Sequence, residues 1–364
     1  MNDTNISEWA DIPKKNLNKQ NISAEHTSFN TLAQLSLFAN SGEKSPFFLS
    51  QNDADILKKR ANSKCITNGI LDALISLDSP FQKKYINAKN CASIIQLSNG
   101  KLTSKYCNQR FCLVCNRIRT AKLINGYKSQ LENINEKYFV TLTIPNCRGS
   151  YLKKNIEVMN KSFREIYKQM KNKNRYLRGS NKFEISGIKK LECTYNEKNN
   201  DFHPHFHFII STEKTANFLV EEWLKKFPNA NFAGQKIIKC YNDGYIEIFK
   251  YFTKFWNKGE KKHSLKYYND LYLGRKNGIG NIFIPALDVI FQAMERKRVF
   301  EPLGIKKIDE KITSLDAEIF TDTDKSIENQ YFFNEIDWFD EFSNPLCSND
   351  TTQFVHEMLQ KIIL

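Results

Sequence analysis

Three histidines stand at alternate positions in His203-Pro204-His205-Phe206-His207, half of the six in the chain. In a β-strand successive side chains point to opposite faces, so these imidazoles share one side while Phe206 and Phe208 point to the other. Neutral imidazole is a common ligand for divalent metals. The polar run Asn196-Glu197-Lys198-Asn199-Asn200-Asp201 suits a hairpin that returns a preceding strand, Ile188–Tyr195, alongside the histidines. With Thr194 opposite His203, antiparallel register sets Glu192 opposite His205 on the imidazole face. Glu192 would supply the oxygen that a hard cation such as Mg²⁺ or Mn²⁺ prefers. His203, His205, His207 and Glu192 are therefore the candidate metal ligands.

A second constellation lies downstream. Ile246 to Phe255 reads as an amphipathic helix, with Ile248, Phe252 and Phe255 as its apolar stripe. Glu247, Tyr251 and Lys254 fall at i, i+4 and i+7 on the neighbouring face, so all three can meet one substrate. A phenol with a reference pKa near ~10 is a poor nucleophile at neutral pH. A metal on a target phosphate offsets that weakness, Lys254 can stabilise the developing charge, and Glu247 can serve as a base.

Cysteines form the third cluster. Cys107, Cys112 and Cys115, with Cys91 upstream, have the short spacings of a Zn²⁺ site, and Cys65 is the alternative fourth ligand. Arg110, Arg117 and Arg119 are interleaved with these thiols, so a zinc knuckle here would present basic side chains. Cys147, Cys193 and Cys240 read as small buried residues.

These groups need a scaffold. Tyr138–Ile144 is a β-branched and aromatic strand; Leu152–Met170 carries Ile156, Met159, Phe163, Ile166 and Met170 at helical spacing. The two strands flanking the hairpin follow, then a helix from Thr215 to Phe227, a strand near Ile237–Tyr241 and a helix from Tyr245 to Trp256. Strand–helix–strand–strand–helix–strand is the order of an α+β, ferredoxin-like (RRM-like) antiparallel sheet with helices on one face. Residues 1–50 read as a disordered polar arm with at most a short helix near Leu32–Phe38. Residues 51–126 form a helical and cysteine-rich segment, 127–300 the catalytic domain and 301–364 an acidic tail.

Charge agrees with a polyanionic partner. The chain of 364 residues carries +14, but Asp309–Leu364 holds thirteen acidic residues against three lysines, so the body before it carries +24. Hydrophobic residues at 41% suffice for a packed core and exclude a wholly disordered chain. No run of ~18 apolar residues predicts a membrane span, and the N-terminus lacks the pattern of a secretory signal, so a cytoplasmic location with reduced thiols is expected.

Taken together, these motifs resemble rolling-circle replication initiators (Rep) of small bacterial plasmids, within the HUH endonuclease superfamily. Phe139-Val140-Thr141-Leu142-Thr143-Ile144-Pro145-Asn146 resembles the family's first motif, His203–His207 its metal motif, and Glu247–Lys254 its tyrosine motif. Leu191–Tyr195 and Gly274-Arg275-Lys276 followed by Gly280 are further matches. The resemblance implies the HUH fold and a Tyr251 that attacks a phosphate in the plasmid origin. The product would be a 5′-phosphotyrosine and a free 3′-OH, with Glu247 directing water to terminate the reaction. It implies DNA contacts by Arg110, Arg117, Arg119, Lys250 and Arg275. Single-stranded or extruded origin DNA, a host helicase and a single-strand-binding protein would be partners. A single-tyrosine transposase of the same superfamily, or a non-catalytic zinc-containing DNA-binding protein, is the alternative.

Overall fold

The structure is a computed structural model that describes residues 51–98, 101–249, 279–309, 311, 327–334 and 337–347. The chain divides into two units, with the division falling inside helix α1 (Gln51–Ile75). Among the described residues the larger takes those within 66–91 and 106–311, and the smaller those within 51–65, 92–105 and 327–347.

In the larger unit, α2 (Gln82–Lys89) and α3 (Leu113–Glu132) precede the expected βαββαβ series. That series is β3 (Lys137–Thr143), α4 (Gly149–Lys173), β4 (Gly187–Asn196), β5 (Asp201–Ser211), α5 (Glu213–Lys226) and β6 (Lys236–Lys239), the numbering leaving β1 and β2 to the smaller unit. Helix α6 (Ile279–Ala293) and strand β7 (Phe300–Leu303) follow. The strands form one antiparallel sheet in the order β6-β3-β5-β4-β7. Its first four members have the ferredoxin-like connection, and β7 extends the β4 edge, a strand the sequence did not reveal.

One face of the sheet is covered by helices because the alternation of β5 demands it. Phe206 and Phe208 are fully buried and meet Phe163 of α4 and, for Phe206, Trp223 of α5. Leu152, Ile156, Met159, Phe163, Ile166 and Met170 of α4 recur every three or four residues, which puts all six on the side facing the sheet. Each such side chain contributes roughly 2 kcal/mol by leaving water. Trp223 also donates its indole N–H to the Thr143 carbonyl at 2.8 Å, fixing α5 against β3.

The sequence reading of an α-helix from Tyr245 departs from the structure. Asn242–Phe249 is a 3₁₀ segment, with Tyr245 and Ile248 buried. Residues three apart eclipse in a 3₁₀ helix, so this winding sends both into the core. Residues 250–256, including Tyr251, lie outside the described residues, as do residues 1–50 and the short helix expected there.

The smaller unit contains a second antiparallel sheet, β2-β1-β8-β9, formed by β1 (Ile94–Ser98), β2 (Lys101–Ser104), β8 (Ile327–Asn334) and β9 (Asp337–Phe339). Two of its strands come from the acidic segment. Trp338 is buried and donates to the Ala92 carbonyl at 2.7 Å, and buried Asp337 accepts from Trp338 N at 2.7 Å and Cys347 N at 3.2 Å. No helix among the described residues is long and apolar enough to cross a membrane.

Candidate metal and nucleic-acid site

The polar residues collect on the face of the larger sheet opposite α4 and α5, where Phe249 of the 3₁₀ segment also packs on Phe300 at 6.4 Å. Pairing of β4 with β5 sets Thr194 opposite His203, Glu192 opposite His205 and Lys190 opposite His207. On the other side of β5, Thr143 faces His205 and Thr141 faces His207. The register inferred from the hairpin is thus the observed one.

Glu192, His205 and His207 converge. The Glu192 Oε2 atom lies 3.4 Å from His205 Nε2 and 3.6 Å from His207 Nε2. Ligands ~2.1 Å from a common cation stand roughly 3.0–3.5 Å apart at octahedral to tetrahedral angles, so the three donors fit one ion. The tautomer fits as well: His205 Nδ1–H donates to the His203 carbonyl at 2.9 Å, leaving the Nε2 lone pair turned towards the carboxylate. A cation bound between them, or a proton on Nε2, satisfies two lone pairs at that distance. His207 Nδ1 is held 3.1 Å from the Thr141 hydroxyl, which orients the second ring.

Lys190, which sequence reading passed over, completes the electrostatics. Its ammonium is fully buried and lies 2.5 Å from Glu192 Oε1, the carboxylate oxygen other than the one facing the imidazoles. Burial alone would raise the Glu192 pKa, but hydrogen bonding to His205 and His207 and the Lys190 charge outweigh it and hold the carboxyl well below its usual range. Burial lowers the His207 pKa, partly countered by Glu192, so the neutral imidazole that a metal needs is favoured. The signal was available, because Lys190 shares the Glu192 face by simple alternation.

The structure does not bring His203 into the group. Its Nδ1–H donates to Asn146 Oδ1 at 2.7 Å, and Asn146 donates in turn to Asp201 at 2.9 Å. Its ring stacks on His205 at 5.1 Å, and burial with the neighbouring imidazoles lowers its pKa to about 4. Lying at the hairpin end of β5, it is tied to the chain after β3 and buttresses His205.

Four thiols converge at the start of α3. Cys91, Cys107, Cys112 and Cys115 lie with their sulfurs within 4.8 Å of one another, at 3.5 Å for Cys91–Cys115 and 3.7 Å for Cys107–Cys115. A tetrahedral ion with Zn–S bonds of ~2.3 Å requires S–S edges of roughly 3.8 Å. Backbone N–H groups of Cys107 and Gln109 point at the Cys91 and Cys107 sulfurs, at 3.3 and 3.4 Å. Hydrogen bonds from the other three thiols favour ionisation of Cys91 first, as a thiolate-binding ion would require. Cys91, not Cys65, is the fourth member of this group.

The arginines divide. Arg110 and Arg117 are partly exposed, whereas Arg119, expected to contact DNA, is buried. Its guanidinium donates to Asn116 Oδ1 at 3.2 Å and to the Asn108 carbonyl at 3.0 Å, satisfying a loop that would otherwise bury an unpaired carbonyl. Tyr251, Lys250, Lys254 and Arg275 lie outside the described residues, and for Glu247 only the backbone is described.

Residues 100–228, which span β3 to α5 and most of the cysteine group, match the family model Rep_1, described as a replication protein. A Staphylococcus aureus protein named Protein rep is 33% identical over 167 residues, 41% of this chain and 69% of the relative. A Bacillus protein of the same name is 28% identical over 158 residues, 40% of this chain and 48% of the relative. One from Streptococcus pneumoniae is 25% identical over 204 residues, covering 49% of this chain and 61% of its own length. The match thus spans about half the length of the Bacillus relative. No solved structure matches the chain.

Proposed function

The chain belongs to the Rep_1 family of replication proteins, the plasmid replication initiators, and on that premise we propose that it cuts and rejoins one strand of origin DNA with Tyr251 as nucleophile. The observation that carries this reading is the convergence of Glu192, His205 and His207 on the face of the sheet opposite α4 and α5. A divalent cation bound there would supply Lewis-acid neutralisation of a phosphate oxygen. The chain's own residues do the rest. His205 and His207 are held by their Nδ1 contacts, and Lys190 keeps Glu192 ionised, so the three donors are oriented before a cation binds.

In the proposed step the Tyr251 oxygen forms a bond to phosphorus as the bond from phosphorus to the 3′ oxygen breaks. The phenolic proton passes to solvent, and the departing oxygen takes up a proton to become a 3′-OH. Lys254 offsets charge on the reacting oxygens. The phosphotyrosine retains the energy of the broken bond, so the reverse attack by a 3′-OH reseals DNA without ATP. Glu247 takes a proton from the water that ends the reaction. Arg110, Arg117, Lys250 and Arg275 contact the DNA backbone. Cys91, Cys107, Cys112 and Cys115 would hold Zn²⁺ to brace the knuckle, and Glu192, His205 and His207 would hold Mg²⁺ or Mn²⁺.

The test is a covalent adduct. Full-length protein is incubated with single-stranded origin oligonucleotide and Mn²⁺ and resolved on a denaturing gel. Tyr251→Phe is expected to abolish the shifted species, His205→Ala and His207→Ala to reduce it severely, and Glu247→Ala to preserve it while slowing hydrolytic release. Normal adduct formation by Tyr251→Phe refutes the nucleophile. Metal-stabilised DNA binding with no adduct in any variant would make the chain a non-catalytic DNA-binding protein.

A further inference from the structure

We propose that the larger unit carries a second DNA-binding surface, a basic groove beside the cysteine knuckle that takes the phosphate backbone. This rests on the reading of the chain as a DNA-acting protein, but none of its lining residues belongs to the Glu192–His205–His207 group. The groove has a volume of about 590 Å³ and is bounded by the knuckle loop at 108–111, the end of α6 and the turn after it, Lys307, Asp309 and Lys311, and α2. Among its described lining residues seven are Lys or Arg and two are acidic, a net charge of +5.

The acids do not neutralise that excess. Glu295 is taken by Lys84, and the Asp309 carboxylate accepts from the Lys311 backbone N–H at 2.9 Å. Lys297 is paired outside the groove, with Glu157 at 2.7 Å. Arg296, Arg298 and Lys307 remain exposed, and among the described residues none of the three is in a salt bridge. Cations in excess of their counter-charges repel one another, a cost removed when an anion binds between them.

Backbone geometry points the same way. Arg296 has φ +55°, in the left-handed region that glycine occupies most cheaply after a helix. The arginine at this helix end turns its side chain into the lining of the groove. The floor is rigid: Phe111 of the knuckle packs on Phe291 of α6 at 5.1 Å. Asn108 and Gln109 add neutral amides to the rim. Guanidinium groups recognise phosphate oxygens in pairs, and neutral amides accompany them in backbone contacts, which is the chemistry of a nucleic-acid strand.

The experiment separates this groove from the chemistry elsewhere. Full-length protein, without added Mg²⁺ or Mn²⁺ so that no strand is cut, is titrated with mixed-sequence DNA across a salt series. One arm uses a single strand and the other a duplex. The variant Arg296→Gln/Arg298→Gln/Lys307→Gln is compared with Lys153→Gln/Lys154→Gln/Lys214→Gln, which removes the same charge from exposed positions outside the groove. Three lost phosphate contacts should weaken binding on the order of a hundredfold at physiological salt and flatten the log–log salt dependence by roughly 2–3. The control should lose no more than about tenfold. A loss confined to the duplex arm identifies duplex DNA as the occupant, and one confined to the other arm identifies a single strand. An unchanged affinity in both arms, or an equal loss in the control, overturns the proposal, provided that both variants melt as the parent does. Failure of the adduct assay would leave this titration unaffected, so the two readings fall separately.

Discussion

Replacing Lys190 by methionine tests the electrostatic account of the metal face most directly. The ammonium and the Glu192 carboxylate are 0% and 6% exposed and lie 2.5 Å apart. Removing one partner of such a buried pair leaves the other charge uncompensated, which costs about 3–5 kcal/mol. For a unit of this size, 1 kcal/mol corresponds to roughly 2–4 °C in Tm, so Lys190→Met should melt about 6–20 °C below the parent. The double variant Lys190→Met/Glu192→Gln removes both charges and should recover most of that loss, since a neutral replacement for a buried pair is often nearly free. Melting is followed by circular dichroism with no added divalent cation. Added Mn²⁺ should then raise the Tm of Lys190→Met more than that of the parent, because a second cation at the carboxylate replaces the lost one and no longer competes with the ammonium. An unaltered Tm in the single variant, or a double variant no more stable than the single, would refute the argument that Lys190 serves to balance Glu192.

Other consequences are checked more simply. Burial pushes the Asp337 pKa up to about 7 from 3.8, against the opposing pull of its hydrogen bonds from Trp338 and Cys347. The folded state therefore holds a proton that the unfolded chain releases, and the associated stability, about 4 kcal/mol, is complete below pH ~4 and lost as pH rises through ~7. Asp337→Asn should flatten this dependence in urea titrations across that window; an unchanged slope counts against it. Cys107→Ser should lower bound zinc, measured by elemental analysis, and the melting temperature together, whereas Cys65→Ser should leave zinc content intact. Gly304 has φ +65°, and a Cβ there would approach the Ile185 carbonyl oxygen to 1.7 Å, so Gly304→Ala should lower the Tm by several degrees, read in the same melting experiment.

The larger unit was legible in the sequence where periodicity is strong and local. Alternation along β5 fixes which histidines share a face, and a six-residue polar loop leaves few registers for β4, so Glu192 opposite His205 followed from counting. What failed was the assumption that every residue on a face reaches the same point. His203 sits at the hairpin end, beside Asn146, and its imidazole is committed to that neighbour before any ligand arrives. Arg119 misled similarly, because a charge pattern does not say which guanidinium a loop carbonyl will capture. The second sheet was hidden by composition: acidic residues around Tyr331 and Trp338 masked two strands in which those two side chains are fully buried. The pair Asn99-Gly100, between runs of β-forming residues, was the available hairpin signal for β1 and β2.

The two faces of the larger sheet also explain why its polar site can be buried without a compensating apolar patch. On the helix side, Lys189 is as buried as its neighbour Lys190, yet its charge goes to Glu301 at 2.7 Å and to the faces of Phe163 and Phe206. Adjacent lysines on one strand must point in opposite directions, so the pair sends one ammonium into the core and the other to the metal face. Each meets a carboxylate: Glu301 comes from β7 and Glu192 from β4 itself. The edge strand β7 therefore does more than extend the sheet. By neutralising Lys189 it allows β4 to be covered on both sides, and a covered β4 holds Glu192 in a low-dielectric setting where its pull on a cation is strongest. The ligand strength of the candidate site is in this way a property of the sheet's edge as much as of the histidine motif that first revealed it.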